Sequence, residues 1–496
     1  MAPRLRVLVI ASEVAPFAKT GGLADVAGAL PRALLGLGHD VRIMLPKYRG
    51  AEVHATDTRV VVPTIHVPLG DRSAEGALIE GHSQSGVPVY LLEHEHYFNR
   101  DSLYGTADGD YWDNCERFVF FCRAALESLA RLDAARTGTR WQPQIIHAND
   151  WQTGLLPVYL HTLYRDHPLL GRLATVFTIH NLAYQGVFWH YDMPMTGLGW
   201  DLFTPAGLEF YGKLNFLKGG LIFSDLLTTV SRTYAREIRT PAFGCGLEGV
   251  LEERSQDLHG VVNGIDYEVW NPGKDPAIAH PFAAEDPEPK AVCRETLRRE
   301  LGLGDGAGPV LGVVARLAEQ KGMDLVLEAL PGLLAEGCQL VVLGSGDSRL
   351  EEAFRAAADT HRRQVAVRIG YDDDLSRRIY AGSDAFLMPS RYEPCGLGQL
   401  IALRYGVAPI VRRTGGLADT VTEFDPARRA GTGFMFDDFT ADALLATVRR
   451  AAATYRQPPV WKALVRNAMA EDFSWDASAR EYVTLYRKAL KARTAR

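Results

Sequence analysis

The stretch Thr20-Gly21-Gly22-Leu23-Ala24-Asp25-Val26 returns almost unchanged as Thr414-Gly415-Gly416-Leu417-Ala418-Asp419-Thr420-Val421, once in each half of the chain. Each copy follows a short apolar run, 7–11 in the first half and 407–411 in the second, and precedes residues with helical spacing. Paired glycines at such a strand-to-helix turn let the backbone come close to a ligand. The first free N–H groups of the helix then favour a phosphate or a sugar phosphate. Two copies, one per half, point to two loops around one ligand.

Working outward, short β-rich apolar runs alternate with helical segments, the pattern of βαβ units and parallel sheets. Strands are expected at 6–11, 41–45, 87–92, 145–147, 175–179 and 226–230. A second set is expected at 310–314, 339–343, 365–369, 385–388 and 407–411. Leu23, Val26, Ala27, Leu30 and Leu34 give the first helix its apolar stripe, and Pro31 within it predicts a kink or an early end. The fold expected is α/β, with two doubly wound Rossmann-like domains facing across a cleft. At 496 residues one core does not suffice. A Pro-, Ala- and acid-rich stretch at 271–289 reads as a surface connection, and the short segment before it sets the boundary. The domains expected are therefore 1–262 and 263–475, with a basic C-terminal helix at 476–496 packing back on the first.

Composition excludes several classes. Hydrophobic content of 47% and charged content of 23% are those of an ordinary globular protein, and a net charge of −6 argues against a nucleic-acid surface. Anionic ligands must be held by local cations. Six scattered cysteines without a C-x-x-C fit a reducing compartment, and the apolar run after the basic start is too short for a signal sequence. No run approaches membrane-spanning length. A cytoplasmic enzyme without membrane or nucleic-acid partners is expected.

Open parallel sheets bind ligands at the carboxyl ends of their strands. Those ends deliver Ser12 and Glu13, Lys47, Asp150, His180 with Asn181, Ser231 and Asn263, then Arg316, Ser345, Tyr371, Ser390 with Glu393, and Thr414. Arg316 and Lys321 form a cation pair suited to a diphosphate, and Lys19 supplies a third cation beside the first glycine pair. Glu393 can accept from sugar hydroxyls, and the backbone N–H groups of Cys395, Gly396 and Leu397 can donate to them. No base stands near Cys395 in sequence to make it a nucleophile. Gly344-Ser345-Gly346 lacks the rest of a dinucleotide fingerprint. Asp372-Asp373-Asp374 reads as a capping run rather than a metal site, and Glu93, His94, Glu95 and His96 lack further zinc ligands at the usual spacing. Tyr371 is either a base-stacking residue or an ordinary half-buried tyrosine.

These motifs resemble those of bacterial glycogen synthases and plant starch synthases, retaining glucosyltransferases of the GT-B type. The resemblance is carried by Lys19 to Val26, His147-Ala148-Asn149-Asp150-Trp151, Thr178 to Gly186, and Val262 to Asp266. Arg316-Leu317 with Gln320-Lys321-Gly322, Ser390 to Leu397, and Arg412 to Val421 complete it, in the family's order. It implies glucose transfer from ADP-glucose, a co-substrate rather than a cofactor, to the 4-OH of an α-1,4-glucan with the anomeric configuration kept. No cofactor and no metal are implied.

The resemblance further implies that Arg316 and Lys321 hold the diphosphate and Glu393 the glucose hydroxyls, with Asp150 and His180 contacting sugar and orienting the acceptor. Lys19 would bind the donor, and Gly21, Gly22, Asp25, Asn181 and Asn263 would line the substrate site. Tyr371 would stack on adenine, Cys395, Gly396 and Leu397 would bind the sugar, and Thr414 and Gly415 would lie at the phosphates. Ile401 stands where related glycosyltransferases carry a second Glu, so Glu393 acts alone. Asn149 stands where many relatives have His, with a modest effect expected.

Overall fold

The computed structural model describes residues 3–106, 108–134 and 141–495. Met1 and Ala2 of the basic start, and Arg496 at the end of the basic C-terminal stretch, lie outside them. The chain divides into two compact units, Met1–Val230 with Ala235–Val261 and Trp475–Arg496, and Ser231–Tyr234 with Val262–Ser474.

The first unit is built on a nine-stranded sheet. Its strands are β1 (Arg6–Ile10), β2 (Asp40–Pro46), β3 (Ala55–Leu69), β4 (Arg72–Ser83), β5 (Pro88–Glu93), β6 (Ile145–Asn149), β7 (Ala174–Ile179), β8 (Leu226–Thr229) and β9 (Leu258–Gly260). Their order is β9-β8-β7-β6-β1-β2-β5-β4-β3. Seven run parallel, while β4 and β3 continue the sheet antiparallel. The hairpin β3–β4 is not among the strands expected. Pro63 and Pro68 break up its apolar pattern, and they are tolerated because β3 is an edge strand, with register shifts around Val62.

The helix Gly22–Gly36 continues past Pro31, so the early end expected there does not occur. Pro31 leaves the carbonyl one turn earlier without its N–H, at a cost of about 3 kcal/mol. Leu23, Val26, Leu30 and Leu34 are all buried, and each such side chain returns about 1.5–3 kcal/mol. The apolar stripe therefore outweighs the proline. Helix Trp475–Ala495 completes that core, with Trp475, Tyr482, Val483 and Tyr486 packed among Val7, Val9, Ile145 and Val176.

The second unit carries a six-stranded sheet of β10 (Val310–Val314), β11 (Gln339–Gly344), β12 (Val365–Ile369), β13 (Ala385–Met388), β14 (Ala408–Arg412) and β15 (Phe434–Phe436). The order is β12-β11-β10-β13-β14-β15, parallel throughout, the Rossmann arrangement with its reversal between β10 and β13. The stretch 271–289 is more than a surface connection. Ile278 and Phe282 are buried in the second core, and buried Asp275 accepts from Tyr405 and pairs with Arg377 at 3.3 Å. Apolar residues were sparse there, but two sufficed to anchor it. Among the described residues no helix is long and apolar enough to cross a membrane.

Candidate functional site

In the first unit the strand order reverses between β1 and β6, and the polar residues gather at the carboxyl ends there. Glu13 follows β1 and is 4% exposed. Its carboxylate accepts from the Thr20 N–H at 2.5 Å, the Thr20 hydroxyl at 2.7 Å, the Gly21 N–H at 3.2 Å and the Tyr104 hydroxyl at 2.7 Å. The glycine loop is thus folded around a buried carboxylate. Sequence places Glu13 only at a strand end, and an acid just ahead of a glycine loop is the signal that marks it. A Cβ at Gly21 or Gly22 would meet nothing within 4 Å, so this pair presents bare backbone to open space. Lys19 and Asp25 pair at 2.7 Å on the surface beside it.

Asp150 follows β6 with φ 56° and ψ −179°, a conformation that strains a non-glycine residue by about 1–3 kcal/mol. Its carboxylate accepts the His180 N–H at 2.7 Å and also an N–H of Asn181. Burial pushes this carboxyl up to about 7, against those two bonds, and the nearby Glu13 charge pushes the same way. His180, after β7, is brought down to about 3 by burial and faces the Asn149 side-chain oxygen through Nε2 at 3.0 Å. His147 is likewise lowered to about 3, and it bridges Tyr486 at 2.8 Å and Thr178 at 2.6 Å. Asp150, His180 and Asn181 are therefore one group, and Asn149 belongs to it. Its side chain was assigned no contact from sequence because only strand register puts it beside His180.

In the second unit the reversal between β10 and β13 collects the rest. Gly322 sits at φ +69°, and a Cβ there would lie 2.1 Å from the Pro389 carbonyl oxygen. That close approach sets the one-turn helix Glu319–Lys321 against the end of β13. Lys321 Nζ then donates to Glu393 Oε2 at 2.6 Å, joined by the Ser390 hydroxyl at 3.1 Å. The side chains are 21% and 6% exposed. Two groups assigned separately, one for phosphate and one for sugar, form a single ion pair. Arg316 is exposed nearby in sequence and donates to Gln320 at 2.9 Å.

The backbone N–H groups of Cys395, Gly396 and Leu397 have no acceptor among the described residues, so they remain available to a ligand. Cys395 is buried, its thiol pushed up to about 12, which leaves no thiolate for nucleophilic chemistry. The Asn263 N–H donates to that sulfur, and the buried Asn263 Oδ1 has no partner among the described residues.

The second glycine pair does not repeat the first. A Cβ at Gly415 would fall 1.8 Å from the Glu393 carbonyl oxygen, and one at Gly416 2.1 Å from that of Cys395. The Gly416 N–H is spent on the Glu393 carbonyl at 3.0 Å, and the helix Gly415–Thr420 is a short six residues. This corrects the expectation of free N–H groups at Gly416. The pair holds the Glu393–Cys395 backbone in place, with buried Thr414 at its head. Asp419 meanwhile holds Thr233 at 2.6 and 2.7 Å.

Tyr371 follows edge strand β12, two strands from β10, and is 86% exposed, which removes the half-buried alternative. Asp372 caps the next helix through the Leu375 N–H at 2.8 Å. His94 accepts from the Tyr97 N–H at 3.2 Å and stacks on that ring. No group of three or more His, Cys, Asp or Glu suited to a metal ion occurs among the described residues.

Residues 6–253 match the starch synthase catalytic domain, and residues 294–463 match glycosyl transferases group 1. The chain is 51% identical to a glycogen synthase of Syntrophotalea carbinolica, over 98% of this chain and 99% of that one. It is 49% identical to glycogen synthase 2 of Geobacter sulfurreducens, over 99% and 100%. Among solved structures it matches the catalytic domain of starch synthase IV from Arabidopsis thaliana bound to ADP and acarbose. The TM-score is 0.89 at 35% identity, covering 99% of this chain and 100% of that one. That likeness gives the two-domain α/β architecture of the GT-B type.

Proposed function

Because the chain belongs to the glycogen synthase family, we propose that it moves glucose from ADP-glucose to the non-reducing 4-OH of an α-1,4-glucan, keeping the anomeric configuration. Glucosyl transfer to a glucan is the activity that comes with the family; the donor base and the retention are the parts to be tested. The observation that carries the reading is the cluster at the second sheet's reversal: Lys321 and Arg316 as cations, Glu393 as acceptor, and the unpaired N–H groups of residues 395–397 as donors.

In the reaction the C1–O bond to the diphosphate breaks, ADP leaves with the electron pair, and the acceptor oxygen forms the new C1–O bond. The acceptor's proton passes to a phosphate oxygen or to solvent. Positive groups that neutralise the departing diphosphate lower that barrier without a pair of carboxylates. Lys321 and Arg316 take this part, while Glu393 shifts from Lys321 to sugar hydroxyls. Tyr371, exposed just after β12, stacks on adenine. Thr414 and Gly415 lie at the phosphates, and Asn263 offers its unpaired Oδ1 to the sugar. In the first unit Asp150 and His180, beside Asn181, contact the transferred sugar and orient the acceptor, and Lys19 binds the donor next to Gly21, Gly22 and Asp25 of the exposed glycine loop. Six free cysteines fit a cytoplasmic setting.

The test is a donor-by-acceptor matrix: ADP-glucose and UDP-glucose, each with glycogen and with short maltooligosaccharides. Release of ADP coupled to glycogen elongation is expected, with α-linked product by NMR and turnover severely reduced in Lys321→Ala and Glu393→Ala. Normal turnover in both variants removes the roles given to them.

A further inference from the structure

Asn149 closes β6, and its Nδ2 donates to the carbonyls of Ile10 at 3.1 Å and His147 at 3.2 Å. Carbonyl oxygens only accept, so the amide is not able to turn over, and its Oδ1 is the atom that meets His180 Nε2 at 3.0 Å. An amide oxygen only accepts as well, so Nε2 carries the proton. A neutral imidazole has one N–H, which leaves Nδ1 bare. Burial keeps the ring neutral. The titratable groups around it are His147, itself neutral, and Asp150, which accepts the His180 backbone N–H; Glu13 faces Asp150 in turn. Nδ1 has no partner among the described residues.

We propose that Asn149 is a positioning residue that locks His180 as the Nε2–H tautomer, so that Nδ1 presents an acceptor to a substrate hydroxyl and turns away phosphate oxygens. A hydroxyl has a proton to give to that nitrogen, whereas a diphosphate oxygen at neutral pH has none and meets a lone pair. The ring thus sorts the sugar from the diphosphate. The lock itself stands on the hydrogen bonds and the burial of the ring; that the selected hydroxyl belongs to glucose rests on the glucosyl-transfer reading.

The experiment uses the full chain with ring-15N histidine and long-range N–H correlation spectra, His180 being assigned with His180→Gln. A protonated Nε2 and a bare Nδ1, unchanged from about pH 5 to about pH 8, are expected. Asn149→Leu removes the acceptor, so the ring populates both tautomers and kcat/KM with ADP-glucose and glycogen falls about tenfold. Among ADP-glucoses singly deoxygenated at each position, the wild type shows a penalty of about tenfold or more for one hydroxyl, and that penalty shrinks in the variant. Should Asn149→Leu not fold by circular dichroism, Asn149→Ser carries the same expectation.

An Nδ1–H ring in the wild type overturns the proposal. So does a folded Asn149 variant whose tautomer and deoxy-sugar penalty both match the wild type. A wild-type chain that transfers nothing from ADP-glucose defeats the functional reading instead, while the ring spectra still judge the lock.

Discussion

Replacing the glycines of the two near-identical motifs by alanine should give opposite results. At Gly415 the backbone sits at φ +44°, and the new Cβ would lie 1.8 Å from the Glu393 carbonyl oxygen and 2.8 Å from its carbon. Neither atom belongs to a flexible side chain. The left-handed conformation costs about 1–2 kcal/mol and the overpacking about 1–3, so Gly415→Ala should destabilise the second unit by about 2–5 kcal/mol. At about 2–4 °C per kcal/mol for a domain of that size, its Tm should fall by about 4–20 °C. Gly416→Ala, 2.1 Å from the Cys395 carbonyl oxygen, should lose about 1–3 kcal/mol.

Gly21, by contrast, is extended at φ −153° and ψ −168°, and neither it nor Gly22 has a neighbour within 4 Å of a Cβ. Gly21→Ala and Gly22→Ala should leave stability unchanged or raise it by about 0.4–1 kcal/mol through the unfolded chain. Their cost should appear only as a raised KM, because the bare backbone faces where a ligand approaches. Differential scanning calorimetry with ADP-release kinetics measures both quantities. Equal destabilisation by Gly22→Ala and Gly415→Ala would refute the assignment of different tasks to the two loops.

Three further outcomes are expected. Lys321→Met strands the buried Glu393 carboxylate with Ser390 as its remaining partner, costing about 3–5 kcal/mol, and adding Glu393→Gln should recover part of it; urea unfolding in which the two losses simply add would break the pairing argument. Asp150 has a folded-state pKa raised to about 7, so its ionisation opposes folding. That penalty is absent below about pH 4, grows as pH rises to about 7, and amounts to at most about 4 kcal/mol above it. Asp150→Asn should flatten stability over that window, and an unchanged pH profile would contradict it. Finally, Cys245 alone is exposed among the six free cysteines, so the native chain should show one fast thiol with Ellman's reagent, abolished by Cys245→Ser.

Much of this molecule was legible in one dimension. The alternation of apolar runs and helical stripes marked the strands that form the parallel cores of both sheets, because strands buried on both faces must read as continuous apolar stretches. The edge hairpin β3–β4 escaped because an edge strand tolerates proline and polar residues, and β9 and β15 escaped because three residues are too short a run to show a period. Site residues were legible wherever chemistry demands a type at a strand end, as with Asp150, His180, Lys321 and Glu393.

What sequence did not carry was partnership. Identical words at Gly21-Gly22 and Gly415-Gly416 fixed a strand-turn-helix at both places, yet only packing made one pair an open face and the other a seat for the Glu393–Cys395 backbone. Sequence likewise placed Lys321 and Glu393 after two different strands. The strand order that makes β10 and β13 neighbours turned them into one ion pair, and the register of β6 against β7 brought Asn149 to His180. Local propensity acts through near neighbours along the chain, whereas these contacts are set by sheet order and by the distance at which two backbones pack.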